Sequence, residues 1–164
     1  MSELDDVFVA DAVVHAYNQA ESNFRVPRYA QQVAEIGVGL ESKMPEGYRR
    51  TRESFLSDWP IEETENSLFR ESRTDFAVIH PQSITVFHDG LTAEAKAREF
   101  VERNPTRAAA LASVDAVGME DPQAELTRQV EAFAKDKSIR VATVVGIAGA
   151  TETGTIDPLP DMAH

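Results

Sequence analysis

Cysteine is absent from the 164 residues, which excludes disulfides, thiolate metal sites and a cysteine nucleophile together. A metal site in this chain has to be built from imidazole, carboxylate and water, donors that suit a hard or borderline divalent ion. Basic charge is scarce: 16 Lys and Arg stand against 28 Asp and Glu, a formal net charge of −12. A surface of that sign repels phosphate backbones and anionic lipid, and no basic stripe interrupts it, so neither nucleic acid nor a membrane is expected as a partner. No run of about eighteen apolar residues occurs, so no membrane-spanning helix is expected. The amino terminus, Met-Ser-Glu-Leu-Asp-Asp, is acidic where a signal peptide is basic and then apolar, and the expected location is cytoplasmic. A Gly-x-Ser-x-Gly elbow is missing, and Gly146, Gly149 and Gly154 fit neither the P-loop nor the dinucleotide spacing.

What is present is a cadence of short apolar runs: Val9 to Val14, Phe76 to Ile79, Ala108 to Val114 and Val141 to Ile147. Each has the length of a buried strand, and the last three begin at intervals of about 33 residues, the length of a strand-helix unit. Helices are expected between them. The segment 92–103 is rich in Ala, Glu, Lys and Arg and ends before Asn104-Pro105. The segment 122–136 has Asp121 as its N-cap and Pro122 at its first position, with Leu126, Val130, Phe133 and Ala134 on one face. Strand and helix in alternation imply an α/β fold with a parallel sheet, right-handed crossovers and both helices on one face, within one domain spanning residues 1–164.

The first interval is about twice as long as the others and holds an insertion, residues 19–60, with Arg25, Arg28, Arg49, Arg50, Arg52, Tyr29, Tyr48 and Trp59. A segment in that place is expected to act as a lid or subunit contact over a site at the strand ends. The plainer reading of its arginines is a set of surface pairs with Glu41, Glu46, Glu53 and Glu62. Pro60-Ile61-Glu62-Glu63 reads as a helix start running through Leu68-Phe69.

Four polar residues stand where a parallel sheet collects chemistry. Asp11 and His15 lie near the carboxyl end of the first apolar run, and an unbroken strand would place them on one face. His80 ends the second run and Asp115 follows the third, so both are expected at the pocket rim. Each has an ordinary structural alternative: a carbonyl-bonded His for His15, a capping His for His80, a strand-closing Asp for Asp115. His88-Asp89-Gly90 reads as a turn, and His164 is terminal.

The segment Phe8 to Asn18 resembles the first strand of the amidohydrolase-related, metal-dependent hydrolases. These carry Asp-x-His-x-His there, with Val13 standing here in place of the leading His. Further segments are similar to the same family: Pro45 to Arg49 with Phe55 to Glu63, then Thr74 to Pro81 with Asp89-Gly90-Leu91. Asn104 to Arg107 with Ala110 to Asp115, and Asp121-Pro122 with Glu125-Leu126 and Gln129 to Glu131, continue the series to about residue 135. The resemblance implies a TIM-type (β/α)8 barrel whose divalent metal (Zn, Mn or Fe) activates water or a carboxylate-bearing small-molecule substrate, for hydrolysis or non-oxidative decarboxylation. It places His15 in the metal shell, with Asp11 holding an imidazole by hydrogen bonding, and His80 and Asp115 at the rim. A full barrel takes about 250 residues, so the chain is expected to be the amino-terminal half, an incomplete hydrolase that is inactive and without a catalytic ion by itself. It then pairs as a homo-oligomer or with a chain that completes the barrel. The alternative is a non-catalytic, truncated or degenerate barrel half acting as a structural partner.

Overall fold

The computed structural model describes residues 7–115 and 118–135. Strand β1 (Ala10–Val14) is followed by helix α1 (Pro27–Glu41), the short α2 (Arg52–Phe55) and α3 (Ile61–Asn66), which widens into a π turn over Ser67–Glu71. Then come β2 (Phe76–Ile79), α4 (Glu94–Arg103), β3 (Ala108–Ala110) and α5 (Pro122–Lys135). The strands form a parallel sheet in the order β1-β2-β3, a mixed α/β arrangement with each strand laid beside its predecessor. Contacts divide the chain into two compact units, Met1–Glu125 and Leu126–His164, so the boundary falls inside α5. The expected strand at 141–147 lies outside the described residues.

The core follows from the period of two along β2. Ala77 and Ile79 are fully buried, while Phe76 and Val78 on the other face are only partly covered. On the buried face they meet Val14, Ala16, Ala108, Ile61 of α3 and Ala97 and Phe100 of α4. Alanine at 77, 97 and 108 lets α4 approach closely, and the Phe100 ring stacks on Phe69 with centroids 5.9 Å apart. A second cluster, Ala30, Phe87 and Leu91, seats α1 on the loop that follows β2. The opposite sheet face is open at β1, where Val13 is 59% exposed.

Local interactions set the element boundaries. The helix expected from residue 92 begins at Glu94, because the Thr92 backbone is engaged in a bridge with Gln82, whose N–H donates to the Thr92 carbonyl at 2.9 Å. Strand β3 is shorter than the 108–114 run. One further ladder bond, Leu111 N–H to the Ile79 carbonyl, follows it, after which Ser113 and Asp115 bond to Ser83 and Thr85 instead. Gly90 takes φ +76° in the expected turn.

The insertion is mostly helical and is stitched shut at its base. Trp59 N–H donates to the Tyr17 carbonyl (2.9 Å), Gln19 N–H to the Ser57 carbonyl (3.1 Å), and Asn18 bridges Asp58. Two of its arginines are in ion pairs, with partners other than those expected: Arg50 with Glu63 at 2.6 Å, and Arg52 with Glu35. Glu41 accepts the Arg50 backbone N–H, and Glu62 turns to Arg103. Among the described residues no helix is long and apolar enough to cross a membrane.

Candidate functional site

The carboxyl ends of β1 and β2 bring His15 and His80 together. Each follows its strand directly, and the ladder continues past β2 through His80 N–H to the carbonyl of Val14, the last residue of β1 (2.9 Å). The two rings meet edge to face with centroids 5.8 Å apart. His15 Nδ1 faces the His80 carbonyl oxygen at 3.3 Å, and His80 Nε2 faces the Ala12 carbonyl oxygen at 2.6 Å. A carbonyl only accepts, so each of these nitrogens is the protonated one. In the neutral ring His15 Nε2 then carries the lone pair. Burial holds the His15 imidazole below its ordinary 6.5. The bond to the His80 carbonyl opposes the shift, the His80 ring adds to it and the Asp11 charge opposes it. His15 is thereby kept as a neutral nitrogen base at neutral pH.

Asp11 and Asp115 are committed elsewhere. The register shifts between Asp11 and Val14, which breaks the period-two count linking Asp11 to His15. The Asp11 carboxylate accepts the Val13 N–H at 3.0 Å and acts on His15 through space. Asp115 Oδ2 accepts from the Thr85 N–H (2.9 Å) and hydroxyl (2.8 Å), and its Oδ1 accepts from Gly118 N–H (2.8 Å). It joins two loops at the strand ends.

Tyr17, Lys96 and Asn23 at this edge were not singled out as site residues by the sequence, whereas Trp59 and Arg50 come from the insertion expected to cover it. Tyr17 stacks on His15 with centroids 5.2 Å apart, and Trp59 lies against Tyr17 at 5.1 Å. The Arg50 guanidinium covers the outer ring of the series, 4.1 Å from the Trp59 centroid. For Tyr17 the signal was that it follows His15 by two. Lys96 reaches from α4 to this turn: its Nζ donates to the carbonyls of Trp59 (2.8 Å) and Ala16 (3.3 Å) and pairs with Asp58. Buried Asn23 donates to the carbonyls of Asn18 and Gly90, each at 2.9 Å, and accepts the Asp89 N–H, which fixes the loop behind the rim.

Among the described residues the donors at this edge are fewer than a catalytic metal site takes. The His15 imidazole offers one lone-pair nitrogen beside the His80 ring, whereas a catalytic zinc ion takes three protein ligands. Among the described residues no group of three His, Asp or Glu side chains is placed to hold an ion. Comparison with protein-family models, with curated proteins and with solved structures finds no match for this chain.

Proposed function

We propose that the chain is the amino-terminal half of a (β/α)8 barrel of the amidohydrolase type, contributing to metal-dependent hydrolysis or decarboxylation of a small substrate. The observation that carries this reading is the meeting of His15 and His80 at the carboxyl edge of adjacent parallel strands. That edge is where barrel enzymes assemble their sites. The sequential strand order, with α3 and α4 on one face, supports the same architecture. In this reading His15 supplies one neutral nitrogen to the metal shell, His80 lines the rim, and the remaining ligands come from a chain that completes the barrel. The insertion, fixed at its base by Trp59 and Gln19, then forms one wall of the pocket.

A second reading is favoured by the commitments of the two carboxylates. Asp11 is bound to its own strand and Asp115 to the Thr85 loop, as in a barrel half kept for structure alone. Reconstitution separates the two. The chain is co-expressed with the polypeptide encoded beside it, dialysed after exposure to Zn²⁺, and analysed for metal and for turnover of amide, lactone and aromatic carboxylate substrates. The enzymatic reading expects a stoichiometric ion and turnover in the complex, both lost with His15→Ala, and neither in the chain alone. A stoichiometric ion that survives His15→Ala, or a stable complex with neither ion nor turnover, overturns it.

A further inference from the structure

Strand β1 takes three steps from Asp11 to Val14 while β2 takes two from Ala77 to Ile79, so one extra residue is accommodated at Ala12-Val13 as a bulge. That extra residue decides which side chains go where. Without it, Val13 would stand level with Ile79 and Val14 with His80, and a slip of one residue exchanges the two faces of a strand. With it, Val14 joins Ile79 in the core, Val13 is left 59% exposed, and His15 comes level with His80.

A bulge takes backbone groups out of the ladder, and here two side chains collect them. The Val13 N–H donates to Asp11 Oδ1 at 3.0 Å, and His80 Nε2 donates to the Ala12 carbonyl at 2.6 Å. Asp11 belongs to the last regular pair before the bulge, and His80 follows the first pair after it, so the bulge is held from both sides. The residue types suit the task. A short carboxylate reaches the amide two residues on. An imidazole at a strand end is long enough to cross to the neighbouring strand while its own N–H stays in the ladder on the Val14 carbonyl. The arrangement closes on the site, because the His80 carbonyl accepts from His15 Nδ1 at 3.3 Å.

We infer that Asp11 and His80 are positioning residues for His15. They hold the Ala12-Val13 bulge, and the bulge sets the register in which His15 Nδ1 meets the His80 carbonyl and Nε2 keeps the lone pair. That this lone pair serves a metal rests on the proposed function; the bulge and its two clamps do not.

Nitrogen-proton correlation spectra of the imidazole rings and amide exchange rates, recorded at pH 8 on the chelator-treated full chain, test the inference apart from metal uptake or turnover. In the wild-type chain His15 should carry its proton on Nδ1 and His80 on Nε2. The decisive effects are at the group each substitution does not touch. Asp11→Ala should abolish the Nδ1 preference of His15, and His80→Ala should speed exchange of the Val13 amide by roughly tenfold. Asp11→Asn keeps an acceptor for the Val13 N–H, and the amide of His80→Gln stands in for Nε2, so both should retain the wild-type His15 signal. The inference is overturned by a wild-type chain with His15 protonated on Nε2. It is overturned equally by folded Asp11→Ala and His80→Ala chains in which these distant signals are unchanged. Should the alanine variants not fold, the wild-type ring protons and His80→Gln decide: retention of the His15 signal in His80→Gln supports the clamp, and its loss in a folded chain overturns it.

Discussion

His15 combines a carbonyl-bonded Nδ1, a lone-pair Nε2 and a stacked tyrosine, and its environment favours the neutral ring. Because its folded pKa is depressed below 6.5, the unfolded chain binds the extra proton first as pH falls. The stability this group contributes is therefore complete above pH 6.5 and is lost as the pH drops from there through the lowered folded value. Urea unfolding of the wild-type chain and of His15→Gln between pH 7.5 and 5 tests this. The variant should show a shallower decline across that window, and an identical slope would show that the ring does not titrate with folding. Tyr17 beside it is shifted in the opposite sense, since burial raises the pKa of a group that becomes negative.

Elements in this molecule are held by loops as much as by the sheet, which has only short strands. The loop after β2 is closed by Gln82, whose carbonyl accepts the Leu91 N–H at 2.8 Å, and by Gly90 at φ +76°. A Cβ on Gly90 would lie 2.4 Å from the Gln82 carbonyl oxygen. Gly90→Ala should therefore destabilise the chain by about 1–3 kcal/mol, read as a lower urea midpoint at constant slope. The helix pair α3 and α4 offers a contrast. Arg103 forks onto Glu65 at 2.7 Å and reaches Glu62. The Arg103–Glu62 pair is exposed and worth at most about 1 kcal/mol, whereas Glu65 is largely covered and is gripped by both arms of the guanidinium. The helix pair is held chiefly by Ile61, Phe69 and Phe100 in the core.

At the scale of the whole molecule, charge governs association. The net charge of −12 at pH 7 and a sequence isoelectric point near 4.7 mean that acidification removes the repulsion between copies. Light scattering at fixed concentration should show association strengthening as pH falls from 7 toward 5, and solubility reaching its minimum near 4.7. Added salt at pH 7 should act in the same direction by screening. Association that weakens under either change would mean that contacts between opposite charges hold the copies together.

The sequence by itself determined the elements whose cause is local. The β2 apolar run, the Pro60-Ile61 helix start, the Ala-rich helix before Asn104-Pro105 and the Asp121-Pro122 start each rest on a propensity or a cap acting within a few residues. The parallel order follows from strand and helix alternating. His15 and His80 were legible as strand-end residues for the same reason. Tertiary structure decided what each polar side chain touches. The register shift in β1 turned Asp11 onto Val13, the Thr85 loop took Asp115, and Lys96 bound a turn 37 residues away at Trp59. It also decided which face of α1 is covered, because helical periodicity marks both Ala30-Ala34 and Ile36-Leu40 as stripes. Only the packing of the chain selects the one that goes inside.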